Sequence, residues 1–140
     1  MSLVGLINYL KGDREEEMLS IEDAANHFCL KPDTIRRKIR SGEINAIRLG
    51  RVYRFSWSDL WVCEDGPMPK GPREGRYKEP LLSKRRVAVA LRVSPRTIER
   101  WIALGLPTRN VFGAVRCNPH DVADWLKLSM DIVLPADWWK

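Results

Sequence analysis

The chain has 140 residues, 44% hydrophobic and 30% charged, a globular mixture that excludes general disorder. No apolar stretch approaches the roughly 20 residues of a membrane-spanning helix. The opening MSLVGLINYLKGDREEE lacks a basic leader and a small-residue cleavage site, so a cytoplasmic location without membrane contact is expected. Lys and Arg outnumber Asp and Glu by 24 to 18, a net charge of +6 that favours a polyanionic partner.

The charge is uneven. Residues 31–54 carry eight Lys/Arg against Asp33 and Glu43, and residues 84–116 carry eight against Glu99. The two blocks are net +6 and +7, and the remainder is net −7. Cys29, Cys63 and Cys117 are an odd count without a framework spacing, which reads as free thiols in a reduced compartment. A zinc site from His27, Cys29, Cys117 and His120 has one Cys-x-x-His step and no matching second pair, so no metal or other cofactor is expected.

Residues 1–18 form an apolar, then acidic, extension. Its Leu3, Val4, Leu6, Ile7, Tyr9 and Leu10 would pair with a partner or cover the core. From Ser20 a Ser-x-x-Asp capping pattern opens a helix with Ile21, Ala24, Ala25 and Phe28 on one face. Leu30-Lys31 turns the chain, and Pro32 starts a second helix with Ile35 and Ile39 inward and Arg36, Arg37 and Arg40 outward. Gly42 stops it. Residues 46–55 are strand formers around Gly50-Arg51, a tight hairpin, and Ser56 to Asp59 caps another helix.

At an offset of 63 the same plan returns: Leu19/Leu82, Ser20/Ser83, Ala25/Ala88, Pro32/Pro95, Thr34/Thr97, Ile35/Ile98, Arg37/Arg100, Ile39/Ile102, Gly42/Gly105 and Gly50/Gly113. One deletion then aligns Arg54 with Arg116 and Asp59 with Asp121. The expected fold is mainly α with small β-hairpins: two winged helix-turn-helix domains, 19–63 and 81–128, joined by a Pro/Gly-rich linker, 64–80. In the second copy the hairpin is expected around Gly113-Ala114, and Asn118 caps a last helix with Val122, Trp125 and Leu126 inward. Trp57, Trp61, Trp101 and Trp125 are expected in the core of such small domains rather than stacked on bases.

The linker holds three Gly and four Pro in 17 residues. As flexible coil it would have an r.m.s. span of roughly 23 Å and a limit of about 58 Å. That bridges half-sites about 34–36 Å apart on DNA. Residues 129–140 form a tail in which Trp138 and Trp139 either fold back onto the domain or dock a recombinase or a second copy of the chain.

Leu-Ser-Ile-Glu-Asp-Ala-Ala, Lys-Pro-Asp-Thr-Ile-Arg-Arg-Lys-Ile and Ile-Arg-Leu-Gly-Arg-Val-Tyr-Arg-Phe resemble the excisionase-type winged helix-turn-helix, a relative of the MerR DNA-binding domain. Leu-Ser, Ser-Pro-Arg-Thr-Ile-Glu-Arg-Trp-Ile and Asp121 to Leu126 resemble it again. The resemblance implies a recognition helix in the major groove and a hairpin wing on the backbone or minor groove of double-stranded DNA. Residues near the start of such a helix reach bases: Asp33, Thr34, Arg36 and Arg37 in the first copy, Arg96, Thr97, Glu99 and Arg100 in the second. Arg40, Arg51, Arg54 and Arg116 would touch phosphates or the minor groove. The second hairpin lacks the turn arginine and the aromatic residues, and Arg109 is expected to compensate.

No Gly-rich phosphate loop, HExxH or nucleophile–base constellation is present, so an enzyme is not expected. The leading reading is an excisionase-like recombination directionality factor or transcriptional regulator of phage or mobile-element type. The alternatives are the DNA-recognition subunit of a packaging terminase and a protein-interaction module without DNA binding. Steep salt dependence of duplex binding separates the DNA readers from the last.

Overall fold

Ser20 and Asp23 exchange hydrogen bonds, Ser20 N–H to Asp23 Oδ2 at 2.9 Å and Asp23 N–H to Ser20 Oγ at 3.1 Å, and this box opens α1 (Ile21–Phe28). The computed structural model describes residues 18–140; the part expected for Leu3 to Leu10 lies outside them. Within this range the chain divides into two units. One takes residues 18–26 with Leu30–Cys63, the other His27–Cys29 with Glu64–Lys140.

The chain leaves α1 through Cys29 at φ +55°, and Leu30 N–H closes back on Ala25 O at 2.9 Å. α2 (Pro32–Arg40) follows with Pro in its first turn, where the missing N–H has no helical partner to lose. Its Ile35 is fully buried, and Gly42 at φ +77° ends the turn after it. β1 (Ile47–Leu49) and β2 (Val52–Arg54) pair antiparallel across the two-residue loop Gly50-Arg51. Gly50 at φ +64° supplies the left-handed first loop position of a II′-type turn. Leu19 and Phe55 exchange backbone hydrogen bonds at 2.8 Å, tying the hairpin to the start of α1. A second capping box, Ser56 with Asp59, opens α3 (Trp57–Val62). Leu19, Ala24, Ala25, Ile35, Ile44, Phe55, Leu60 and Trp61 are the buried apolar residues of this unit.

In the second unit α4 (Lys84–Leu91) and α5 (Pro95–Ala103) each stand 63 residues after α1 and α2. Ser83 and Ser94 cap them by accepting from Arg86 and Thr97 N–H. The turn between them repeats the first: Arg92 at φ +57°, and Val93 N–H to Ala88 O at 3.0 Å. Leu82 and Cys117 exchange the bonds that Leu19 and Phe55 exchange, also at 2.8 Å. α6 (Pro119–Met130) is capped by Asn118, whose Oδ1 accepts from His120 and Asp121 N–H. Leu82, Val87, Ala88, Ile98, Leu106, Cys117, Val122 and Leu126 form one core. Each fully buried Val, Leu or Ile contributes about 1.5–3 kcal/mol there. Of the four tryptophans expected inside, Trp61 is buried; Trp57, Trp101 and Trp125 are half-buried. Trp57 lies over Trp61 at 5.9 Å and Trp101 beside Trp125 at 6.1 Å.

Two expectations need correction. Residues 64–80 are not open coil: β3 (Glu64–Asp65) pairs with β4 (Asn110–Val111), and Gly71–Lys78 form a 3-10 helix. That helix is fastened to α6 by Arg76 to Asp124 at 2.6 Å and Tyr77 OH to Asp121 at 2.8 Å, while Asn118 donates to Arg76 O at 2.9 Å. The flexible-coil span therefore does not apply. The second hairpin turns at Phe112-Gly113, one residue earlier than expected, with both at positive φ and Val111 and Ala114 exchanging hydrogen bonds. Finally, of the two readings of the tail, folding back is the observed one. Trp138 donates to Pro119 O at 3.1 Å, and Trp139 meets His120 edge-on at 5.2 Å.

Candidate nucleic-acid interface

Because Ile35 points into the first unit's core, the helical period turns Asp33, Arg36, Arg37 and Arg40 of α2 to solvent, with Thr34 half-buried. Arg36 donates to Asp33 at 2.7 Å and stands 3.8 Å from Glu22 on α1. Arg37 reaches Thr34 Oγ1 at 3.4 Å. Across from this face the β1–β2 hairpin carries Arg51 at its exposed tip, and Arg54, whose Nη1 donates to Tyr53 O at 2.8 Å. Helix and hairpin enclose a concavity of about 320 Å³ with Arg36 and Arg40 on one wall, Arg51 and Arg54 on the other, and Ile21, Ile39, Val52 and Tyr53 between. Among the described residues Glu22 is the one acid in its lining. Four guanidinium groups against one carboxylate suit an anionic strand, and the planar fork of arginine fits phosphate oxygens two at a time. Arg40 and Arg51 have no ion pair among the described residues.

The turn that follows α2 is set by a local clamp. Lys38 Nζ lies 3.1 Å from Glu43, and Ser41 Oγ donates to Glu43 at 2.6 Å. The Ser41 hydroxyl and then the Lys38 ammonium hold the Glu43 carboxyl below its ordinary range.

The second unit offers a helix face, and its hairpin tip, Phe112-Gly113, carries no arginine. Arg96, Glu99 and Arg100 of α5 are exposed and Thr97 is half-buried beside Ser94. Glu99 pairs with Lys84 at 3.5 Å.

Arg109 does not compensate for the missing wing arginine. It is 2% exposed, its Nε donates to Glu64 at 2.6 Å and its Nη1 to Pro67 O at 2.8 Å, and it lies 4.6 Å from the Tyr77 ring centre. His27 Nε2 lies 2.9 Å from the other Glu64 oxygen. A buried carboxylate persists only when paired, and Glu64 holds Arg109 inside. A Cβ on Gly66 would stand 2.9 Å from Arg109 Nη1, so a side chain there has to displace the guanidinium.

Arg116 is held by backbone carbonyls. Its Nε donates to Phe28 O at 2.8 Å, its Nη2 to Cys29 O at 2.7 Å and its Nη1 to Val115 O at 2.8 Å. It thereby caps carbonyls at the C-terminal end of α1, where a cation is favoured.

Among the described residues no cluster of three or more His, Cys, Asp or Glu is placed to hold a metal. Burial, then the Asp121 carboxylate, pushes the Cys117 thiol up to about 11. No helix among the described residues is long and apolar enough to cross a membrane. The two basic blocks hold four further exposed arginines. Arg48 on β1 donates to Gly50 O at 3.0 Å, and Arg85, Arg86 and Arg92 stand on or just after α4. Their place in the two basic blocks was the signal available.

No curated protein and no solved structure matches the chain. Residues 18–60 match the family model of a helix-turn-helix domain, a segment that spans α1, α2, the β1–β2 hairpin and most of α3. The first unit thus carries a segment similar to a helix-turn-helix domain.

Proposed function

We propose that the chain is a non-catalytic, sequence-specific reader of double-stranded DNA built from two winged helix-turn-helix domains, 19–63 and 81–128. Its role is that of an excisionase-like recombination directionality factor or a transcriptional regulator, as its resemblance to phage and mobile-element proteins suggests. The observation that carries this reading is the meeting of Arg36 and Arg40 of α2 with Arg51 and Arg54 of the hairpin across one concavity, inside the segment matched as helix-turn-helix.

With α2 in the major groove, Arg37 reaches guanine O6 and N7 while Arg40, Arg51 and Arg54 hold phosphates. In the second domain Arg96, Thr97, Glu99 and Arg100 of α5 present the reading face without help from Arg109 or Arg116. The two reading faces differ, so the target is asymmetric.

Fluorescence anisotropy of a labelled duplex tests the reading. Four to six neutralised phosphates make the association constant fall roughly a hundredfold or more from 50 to 200 mM salt. Absence of duplex binding at 50 mM salt, or binding indifferent to salt, overturns the reading.

A further inference from the structure

Two exposed charge clusters occupy matching places in the two units with their signs exchanged. On α2, Asp33 accepts from Arg36 at 2.7 Å, and Arg36 stands 3.8 Å from Glu22 on α1. The counterparts on α5, 63 residues on, are Arg96 for Asp33 and Glu99 for Arg36. Glu99 in turn pairs at 3.5 Å with Lys84, on α4, beside the counterpart of Glu22. Between and beside the inverted positions, Thr34/Thr97 and Arg37/Arg100 are unchanged.

Folding does not demand this inversion. The core-facing residue is isoleucine in both helices, Ile35 and Ile98, and the exchanged charges all lie on the outward side. Exposed pairs of this kind contribute at most about 1 kcal/mol, so neither sign arrangement is required for stability. A weak pair also releases its arginine readily to a ligand.

We infer that Arg36 and Glu99 set the base pair at which the two half-sites differ, guanine under Arg36 and cytosine under Glu99, while Arg37 and Arg100 read a guanine common to both. This rests on the DNA reading proposed above. Guanine offers two acceptors, O6 and N7, to the two donors of a guanidinium fork; a carboxylate is repelled there and accepts instead from the cytosine N4 amino group. The same side-chain position over the same strand therefore selects G·C in one half-site and C·G in the other. Asp33 orients the Arg36 fork. Lys84 offsets the Glu99 charge close to the phosphates.

Selection of bound sequences from a random duplex library by the full chain tests this, with Glu99→Arg, Glu99→Gln and Arg36→Glu run beside the unaltered protein. The changed side chains are exposed, and a thermal melt confirms that each variant is folded. Glu99→Arg is expected to convert one cytosine of the motif to guanine, leaving the other positions as they were. Glu99→Gln is expected to move the same position towards adenine, whose N6 and N7 match a side-chain amide. Arg36→Glu makes the reverse change, guanine to cytosine, in the other part of the motif. Each preference is expected to shift roughly five- to a hundredfold in direct competition between two duplexes.

If the unaltered chain selects a motif but Glu99→Arg only strengthens binding to every duplex, Glu99 reads no base and the inference falls while DNA binding stands. If Glu99→Arg alters self-association and not base choice, the charges serve contact between copies and the inference falls likewise. If the unaltered chain binds no duplex, the functional reading and the inference fail together.

Discussion

The hairpin of the first unit and its counterpart in the second hang from the same backbone tie, Leu19 with Phe55 and Leu82 with Cys117, yet present opposite chemistry. Arg54 and Arg116 occupy equivalent places, and each donates Nη1 to the preceding carbonyl at 2.8 Å. Arg54 otherwise lines an open concavity, whereas Arg116 also donates from Nε to Phe28 O and from Nη2 to Cys29 O. The loop tips differ too. Gly50-Arg51 places a cation at the first tip; Phe112-Gly113 places a phenyl ring at the second, which meets Phe28 edge-on at 6.0 Å. An arginine in a basic block becomes a ligand-facing group or a structural cap according to the acceptors within reach, and nearby carbonyls and one buried carboxylate decided it here.

The largest effect that would break or sharpen this contrast is expected from Arg109→Ala. It leaves Glu64 buried beside His27 without its guanidinium partner, a loss of about 3–5 kcal/mol in chemical denaturation. Duplex affinity of the folded variant should be unchanged; lost affinity with intact stability would return Arg109 to the interface. Gly66→Ala pushes a Cβ against the same side chain and is expected to cost about 1–3 kcal/mol, measured the same way. Arg116→Ala strands carbonyls at the end of α1, and a loss of about 1–3 kcal/mol is expected, again without a change in salt slope. Arg51→Ala is its mirror image. Stability should stay within about 0.5 kcal/mol, while the slope of log affinity against log salt falls by about 1.

The units should also part in their response to pH. Cys117 is raised to about 11 from 9.0 by burial and then Asp121. Tyr77 is raised above 10.0 by burial and by its hydrogen bond to Asp121. The unfolded chain therefore releases these protons first as pH rises. Their stabilisation of the second unit is full below the ordinary thiol value and is lost as pH climbs towards about 11. Glu43 in the first unit behaves oppositely. Its lowered value gives stability that is present above 4.5 and lost on acidification, a small effect at an exposed site. Urea midpoints across alkaline and acid series check both signs.

Much of this was readable from local chemistry. Ser20 with Asp23, Ser56 with Asp59, Ser94 before Pro95, and the isoleucine spacing each act within one turn of helix, and each appears where the residues placed it. What escaped was non-local. Glu64 and Arg109 are 45 residues apart, and nothing in either neighbourhood announces the other. A Pro/Gly-rich composition likewise does not separate an open coil from a packed 3-10 helix. Tyr77 within residues 64–80, an aromatic residue that needs a surface to cover, was the available hint. The left-handed residues Cys29 and Arg92 were hidden because neither is glycine. Of the thirteen residues expected at the DNA interface, Arg109 and Arg116 are diverted to structural roles, since charge density does not report burial.

The central claim is that α2 and α5 each read their own stretch of duplex. Protection mapping of one selected duplex by the full chain, with Arg37→Ala and Arg100→Ala alongside, tests it most directly. Two protected stretches of unlike sequence are predicted, the first lost with Arg37 and the second with Arg100. A footprint of perfect dyad symmetry, both stretches vanishing together with either arginine, or no protection at all would contradict it.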